Sequence, residues 1–139
     1  MSDRAERGSI LLVEDDVVDQ MSVQRSFKDL KIVHRLGIKE NGVEALAHLR
    51  DKSAVRPFLI LLDLNMPKMN GLEFLRELRK DEDLKMLPVV VLTSSKEERD
   101  RVESFGLNVA GYMIKPVDYQ DFVEVIRTID QYWATSEVP

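Results

Sequence analysis

Cysteine is absent from this sequence of 139 residues, and histidine occurs only twice, as His34 and His48. The lack of cysteine excludes disulfide bonds, thiolate catalysis and cysteine metal sites, although it does not identify a cellular compartment. Two histidines do not favour a histidine-based metal site, and each is more typical of a surface or helix-face residue.

Long apolar segments are missing too. The longest uninterrupted run, residues 58–62, has five apolar residues, whereas a helix needs about 20 to cross a bilayer. The amino terminus, MSDRAERG, has no apolar core behind its charges and does not resemble a signal peptide. We therefore expect a cytoplasmic protein without a membrane partner.

The chain also lacks basic clusters. Its formal net charge is −5, from 20 basic and 25 acidic residues, and no more than two basic residues are adjacent. Binding to nucleic acid needs concentrated positive charge. We therefore expect no nucleic-acid partner.

What the chain does contain is centred on residues 58–71, FLILLDLNMPKMNG. A short apolar run between Pro57 and a loop rich in Pro, Asn and Gly is typical of a strand buried on both faces. Asp63 directly follows this run. Because ligands of parallel α/β sheets bind outside the carboxyl ends of strands, Asp63 is expected at such a crevice. The alternatives are a helix N-cap or an ordinary loop carboxylate.

Four further apolar runs alternate with helical patterns, which predicts five βα units in one domain. The fold class is α/β, with a doubly wound five-stranded parallel sheet, and right-handed crossovers place all strand ends on one edge. The predicted strands are Ser9–Val13, 32–39, 58–62, 89–92 and 110–114. The predicted helices follow Asp16 and Asn41, cover about 72–80 and 96–105, and follow Asp118 as the last element.

The helical patterns also predict which side chains face the core. The first helix is expected to bury Val17, Met21 and 27–30, with Asp16 as its cap and Asp19 in its first turn, where negative charge suits the helix dipole. The second helix is expected to bury Val43, Leu46, Ala47 and Leu49. The last is expected to bury Phe122, Val125, Ile126 and Ile129.

Polar side chains end these strands. Glu14 and Asp15 follow the first, Asp63 the third, Thr93 the fourth and Lys115 the fifth. Consecutive carboxylates repel one another unless a cation lies among them. This set of side chains suggests Mg²⁺-dependent phosphoryl transfer to a carboxylate.

Each residue has an expected role in that chemistry. Asp15 and Asp63 are expected to bind Mg²⁺ directly, Glu14 through a water, and Asn65 through its backbone carbonyl. Asp63 is the expected nucleophile that forms an acyl phosphate. Lys115 and the Thr93 hydroxyl are expected to contact phosphoryl oxygens. Taken singly, Lys115 is also compatible with an ordinary ion pair to a buried acid, and Thr93 with a helix cap. Glu14 and Asp16 are compatible with a solvated loop.

The sequence resembles the receiver domain of two-component response regulators. The resemblance is carried by LLVEDD (11–16), LLDLNMPKMNG (61–71), VVVLTS (89–94) and GYMIKP (111–116). It implies a flavodoxin-like (βα)₅ fold with strand order 2-1-3-4-5, and Mg²⁺ as cofactor, with Mn²⁺ or Ca²⁺ able to substitute. It also implies that Asp63 accepts phosphate from the phosphohistidine of a sensor histidine kinase.

The same resemblance implies a conformational switch. Thr93, Tyr112 and Lys115 form the switch apparatus: phosphate draws the Thr93 hydroxyl inward, and the Tyr112 ring enters the vacated space. The family also typically has a cis peptide bond between the residues that match Lys115 and Pro116. A plain surface aromatic is the alternative for Tyr112. The chain itself is expected to act on its own phosphorylation and dephosphorylation rather than as a conventional enzyme.

Two segments, KDEDLKMLPVVVLTSSKEERD and FVEVIRTIDQYW, resemble single-domain regulators paired with bacterial and cyanobacterial phytochromes. That implies a light-regulated histidine kinase as phosphodonor. We expect a single receiver domain over 1–139, with its core at about 9–134 and no output domain. Output is then expected through a downstream effector or phosphotransfer protein. Tyr132 and Trp133 either close the core or join a homodimer face made by the fourth helix, fifth strand and last helix.

Three other protein classes fit the sequence less well. A flavodoxin-like electron carrier needs a phosphate-cradling loop after the first strand, where this chain has three acids, Glu14 to Asp16. A haloacid-dehalogenase-like phosphatase carries its nucleophile after the first strand in a pattern that EDDVVD does not match. A degenerate receiver that binds partners without phosphorylation is disfavoured by the full set of site residues.

Overall fold

The computed structural model describes residues 8–66, 68–93 and 96–135. Within these ranges, five strands alternate with five helices. They are β1 (Ser9–Val13), α1 (Val17–Asp29), β2 (Arg35–Lys39), α2 (Gly42–Arg50), β3 (Leu59–Asp63), α3 (Gly71–Lys80), β4 (Val89–Thr93), α4 (Lys96–Ser104), β5 (Gly111–Ile114) and α5 (Tyr119–Thr135).

The strands form one parallel sheet with the order β2-β1-β3-β4-β5. Every residue of β3 and β4 is buried, as the continuous apolar runs indicate. The edge strands β2 and β5 are only partly covered. The predicted fold class and strand order are confirmed.

Helices cover both faces of the sheet. The first core cluster lies between the sheet and α2, α3 and α4, and includes Leu46, Phe74 and Val102. The second lies under α1 and α5, and includes Phe27 and Ile126. The ends of β1, β3 and β4 are therefore held by a core on either side.

Side-chain caps fix where the helices begin. Oδ1 of Asp16 accepts from the backbone N–H groups of Val18 at 2.8 Å and Asp19 at 3.3 Å. Asn41 caps α2 in the same way, and Asn70 forms a reciprocal capping box with Glu73 at the start of α3. The predicted cap at Asp16 and the start after Asn41 are confirmed.

Two predicted helix faces are wrong in part. Val17 and Met21 are 59% and 60% exposed, because α1 turns Val23, Ser26 and Phe27 toward the core instead. In α2, Val43 and Ala47 are exposed. The buried positions Gly42, Ala45, Leu46 and Leu49 follow the i, i+3, i+4, i+7 spacing of one helix face.

The predicted cis peptide bond is also wrong. The described residues contain no cis peptide bond, so Lys115 and Pro116 are joined in trans. The trans form of such a bond is favoured by about 0.5–1 kcal/mol, and the sequence Lys-Pro accommodates either form. The N–H of Lys115 donates to the carbonyl of Thr93 at 2.8 Å, which continues the β4–β5 pairing past the end of β5.

In the ranges described, no helix is long and apolar enough to cross a membrane. The side chain of Trp133, expected to close the core or join a dimer face, lies outside the described residues. Tyr132 is 61% exposed.

Candidate functional site at the carboxyl edge of the sheet

Three carboxylates meet where β1 and β3 end. Glu14 and Asp15 follow β1 and Asp63 ends β3, and one carboxylate oxygen of each lies within 4.8 Å of those of the other two. Glu14 is 2% exposed and Asp63 is 7% exposed, whereas Asp15 is half-buried. Because β1 and β3 pair directly, the sheet itself sets the separation of these groups.

The backbone of Glu14 is fixed from two sides. Its N–H donates to the carbonyl of Lys39 at 2.9 Å, one residue beyond the paired part of β1 and β2. Its carbonyl accepts from Nε2 of Gln20 in α1 at 2.7 Å. The acidic turn after β1 is therefore a supported part of the structure and not a freely solvated loop.

Lys115 supplies positive charge to the cluster. Its Nζ lies 2.7 Å from Oε1 of Glu14 and 2.8 Å from Oδ2 of Asp19, which are hydrogen bonds. The distance from Nζ to Oδ1 of Asp63 is 3.6 Å, an ion-pair contact too long for a hydrogen bond. The Lys115 side chain is 14% exposed, so water screens these contacts little.

Burial and charge shift the acid–base behaviour of the site. Burial raises the pKa of Glu14 to about 8, although Lys115 opposes the change. Burial also raises the pKa of Asp63, again against the effect of Lys115. Burial alone lowers the pKa of Lys115, but its hydrogen bonds to Asp19 and Glu14 outweigh that effect and raise the pKa. One ammonium therefore does not neutralise the acids, and a proton or a further cation is favoured among them.

The donor set fits a hard divalent cation. Carboxylate oxygens are the ligands that Mg²⁺ prefers, and it usually takes one or two of them with waters. Three convergent carboxylates with raised pKa values for two of them, Glu14 and Asp63, provide such a site. The residues present therefore fit a divalent cation such as Mg²⁺, for which Mn²⁺ is a close chemical substitute.

The loop after β3 is held close to Asp63. The N–H of Gly71 donates to the carbonyl of Leu64 at 3.0 Å. A Cβ atom on Gly71 would lie 2.6 Å from Cα of Leu64 and 2.7 Å from the carbonyl oxygen of Asp63. Only glycine allows this approach, so α3 begins directly against the end of β3.

Asn65 lies two residues after Asp63, in the loop that follows β3. Its N–H lies 3.4 Å from Oδ1 of Asp63, at the long end for a hydrogen bond. The residue is exposed. The use of its backbone carbonyl as a metal ligand stays a prediction.

Thr93 and Tyr112 lie on the same face of the sheet. Thr93 ends β4 fully buried, and Tyr112 stands opposite Val91, two residues earlier on that strand. Tyr112 packs against the first core cluster, and Cζ of Arg99 in α4 lies 5.7 Å from its ring centroid. The Tyr112 side chain therefore packs between the sheet and α4. Its role in a conformational switch stays a prediction.

A cleft of about 340 Å³ separates the loop after β3 from α4. Leu64, Asn65 and Met66 line one side, and Arg101 and Val102 of α4 line the other. The cleft therefore lies between α4 and the loop that follows Asp63.

One member of the site was not predicted. The sequence predicts only a favourable interaction of Asp19 with the helix dipole of α1. In the structure, its carboxylate also accepts a hydrogen bond from Nζ of Lys115. The available signal was its spacing: Asp19 lies in the first turn of a helix that starts at the functional edge of the sheet. Helix geometry alone does not identify which strand end such a side chain reaches.

Comparison with known proteins identifies a family. The sequence matches the response regulator receiver domain over residues 10–127. It is 41% identical over 128 residues to the response regulator Rcp1 of Synechocystis sp., an alignment that covers 89% of this chain and 87% of that protein.

Solved structures agree with the sequence match. The crystal structure of the Mn²⁺-bound form of Rcp1 superposes with a TM-score of 0.84 and 40% identity, over 95% of this chain and 99% of that one. The phosphorylated cyanobacterial phytochrome response regulator RcpA gives a TM-score of 0.85 and 36% identity, over 94% of this chain and 96% of that one.

Proposed function

Because the chain belongs to the response regulator receiver domain family, we propose that Asp63 accepts a phosphoryl group from the phosphohistidine of a sensor histidine kinase. The observation that carries the assignment is one cluster: Asp63 lies within 4.8 Å of two further carboxylate groups and 3.6 Å from an ammonium. That arrangement combines a nucleophile, a cation site and a counter-charge for phosphoryl oxygens.

Asp63 acts as the nucleophile from a rigid support. It ends a strand whose residues are all buried, and Gly71 holds the following helix against it. A carboxylate oxygen forms a bond to phosphorus while the nitrogen–phosphorus bond of the phosphohistidine breaks, and its electron pair stays on the imidazole. The product is an acyl phosphate on Asp63.

The surrounding charges make that transfer possible. When bound, Mg²⁺ supplies the positive charge that offsets the carboxylates and the phosphoryl oxygens. The carboxylates of Glu14, Asp15 and Asp63 would hold it. Lys115 starts 3.6 Å from Oδ1 of Asp63, close enough to reach a phosphoryl oxygen attached there with a small movement of its side chain. The same groups support loss of the phosphoryl group to water, so the chain acts on its own phosphorylated state.

The signal then passes through Thr93 and Tyr112. The Thr93 hydroxyl donates to a phosphoryl oxygen, and the Tyr112 ring moves into the space it leaves. Because Tyr112 packs between the sheet and α4 and carries Arg99 over its ring, this movement changes the position of α4. A pre-existing equilibrium between two arrangements is shifted by phosphate.

The kinase partner is inferred from similar proteins of known structure. RcpA is a phytochrome response regulator, and a further similar structure is the bacteriophytochrome response regulator RtBRR, with a TM-score of 0.77 and 38% identity. A phytochrome-type histidine kinase is the donor that best fits this resemblance. A downstream effector or phosphotransfer protein, a homodimer through α4, β5 and α5, and a cytoplasmic location remain parts of the proposal.

Phosphorylation by a small-molecule donor tests the proposal without the kinase. The protein is incubated with phosphoramidate, with and without Mg²⁺, and its intact mass is measured beside an Asp63→Asn variant. We expect one added phosphoryl group that depends on Mg²⁺ and is absent from the variant. No gain under any condition, with the protein folded, contradicts the proposal and favours a module that binds partners without phosphorylation.

A further inference from the structure

Asp19 makes a contact that the proposed function does not use. Its Oδ2 accepts a hydrogen bond from Nζ of Lys115 at 2.8 Å, across 96 positions of sequence. Asp19 lies in the first turn of α1, and its side chain is 37% exposed. Its partner Lys115 is the more buried of the two, with a side chain 14% exposed.

The Lys115 ammonium has three N–H groups to distribute. Glu14 and Asp19 accept at 2.7 Å and 2.8 Å, whereas Oδ1 of Asp63 is 3.6 Å away. Of these three acids, Asp63 is thus the one to which Lys115 donates no hydrogen bond. Lys115 therefore leaves the lone pairs of Asp63 to other partners, and the side-chain hydrogen bond of Asp63 is with Glu14.

We propose that Asp19 is a positioning residue for Lys115, one that holds the ammonium off Asp63 and so keeps the Asp63 carboxylate open for the divalent cation before phosphorylation. This inference rests on the proposed function, because it concerns the same metal and the same acceptor. In the absence of the Asp19 charge, Lys115 moves toward Asp63 and competes with the cation for its oxygens.

A simpler account gives Asp19 only a general effect. Any negative charge at the amino end of α1 favours a nearby cation and suits the helix dipole. Asp16 provides the matched control, since it lies at the same helix end but its side chain accepts from the backbone of Val18 and Asp19. Asn is also a good N-cap, so Asp16→Asn removes one charge while the cap is kept.

A double-mutant cycle separates the two accounts. Mn²⁺ affinity is measured by electron paramagnetic resonance of free Mn²⁺ for the wild type and for Asp19→Asn, Asp16→Asn, Lys115→Met and the Asp19→Asn/Lys115→Met pair. Circular dichroism checks that each variant is folded. The cycle isolates the part of the Asp19 effect that passes through Lys115.

If Asp19 acts through Lys115, Asp19→Asn weakens Mn²⁺ binding about threefold to fivefold more than Asp16→Asn does, which is the upper range measured for solvent-exposed ion pairs. In the Lys115→Met background, Asp19→Asn has no more effect than Asp16→Asn has in the wild type. Equal losses for Asp19→Asn in both backgrounds, or equal losses for the two single-charge variants, overturn the inference.

A spectroscopic measurement reports the ammonium directly. In ¹H–¹⁵N spectra of the lysine ammonium groups, the Lys115 signal is the one lost in Lys115→Met. We expect Asp19→Asn to shift that signal in the metal-free protein and Asp19→Glu to restore it in part; an unchanged signal contradicts the inference.

Failure of the inference is distinguishable from failure of the proposed function. A wild type that binds no Mn²⁺ and takes no phosphoryl group overturns both. A wild type that is phosphorylated on Asp63, with an Asp19→Asn variant that behaves as Asp16→Asn, overturns the inference alone.

Discussion

Nζ of Lys115 lies 2.7 Å from Oε1 of Glu14, although 101 positions separate the two residues in the chain. The contact exists because β5 and β1 end at the same edge of one parallel sheet. It places the cation of the fifth strand end on the buried acid of the first. The site is therefore a product of topology as much as of local sequence.

Metal-free protein is expected to lose stability as pH rises from mildly acidic values. Burial raises the pKa of Glu14 from 4.5 to about 8, so the folded state holds that proton more tightly than the unfolded chain does. The stabilising contribution is complete below pH 4.5 and is lost as the pH rises through about 8. Thermal unfolding followed by circular dichroism across this range measures the effect.

Mg²⁺ should reverse that loss, because it replaces the proton among the carboxylates. The rise in melting temperature on adding Mg²⁺ is expected to grow between about pH 6 and about pH 8.5. A Glu14→Gln variant is the control, since it cannot lose a proton at this position. A Mg²⁺-induced rise that is the same at both pH values in the wild type contradicts the assigned cause.

Substitution of Gly71 by Ala should destabilise the fold. The added Cβ meets backbone atoms of Leu64 and Asp63 at 2.6 Å and 2.7 Å, which cannot move without displacing the strand end. We expect a loss of about 1–3 kcal/mol and weaker Mg²⁺ binding. Urea unfolding and metal titration measure the two effects.

Gly37→Ala is the matched control for Gly71. A Cβ at Gly37 meets only Cδ1 of Leu11, at an ordinary distance of 3.7 Å. Its free energy of unfolding should therefore change little, by about 0.5 kcal/mol or less. Equal losses for the two variants would contradict the claim that the close contacts of Gly71 with Leu64 and Asp63 require glycine.

Arg79 should be more important to stability than its surface position suggests. Its guanidinium donates to the carbonyls of Lys85, Leu87 and Asn108 at 2.6–3.0 Å, which joins α3 to the segments before β4 and β5. Arg79→Ala is expected to cost about 2 kcal/mol in urea unfolding. Arg127→Ala, which removes an exposed ion pair with Glu124, should cost no more than about 0.5 kcal/mol, and a similar cost for both would contradict this account.

The proposed switch predicts a change around Tyr112. With all three tyrosines replaced by 3-fluorotyrosine, beryllofluoride and Mg²⁺ should shift the ¹⁹F signal of Tyr112. Tyr119 is the internal reference. Its hydroxyl donates a hydrogen bond to Asp29 of α1, which packs on the face of the sheet opposite Tyr112. Thr93→Val keeps the shape but removes the hydroxyl, so it should abolish the Tyr112 shift. A shift that survives in this variant would exclude coupling through Thr93.

Much of the fold was predictable because its signals are local. Continuous apolar runs gave strands within one or two residues, apart from β2, and acids or amides before the helices gave their starts. The first strand is predicted without error, and the third is displaced by one residue because Asp63 itself still pairs with Leu92. These features depend on hydrogen bonds and burial within a few positions of the chain.

The incorrect or missed predictions concern features that depend on tertiary packing. Val17 and Met21 are apolar but exposed, because α1 packs on the sheet through the face that carries Val23 and Phe27. The contact of Asp19 with Lys115 joins two elements whose separation no spacing rule predicts. The peptide bond before Pro116 is trans. Because the cis and trans isomers of such a bond have similar energies, the sequence alone does not determine which one forms.

Locating the phosphoryl group tests the central claim most directly. After phosphorylation in the presence of Mg²⁺, borohydride reduces an acyl phosphate of aspartate to homoserine, and tandem mass spectrometry of the peptides locates the changed residue. We predict a single conversion, at Asp63. Conversion at Glu14, Asp15 or Asp19, with Asp63 intact, would contradict the assignment of the acceptor.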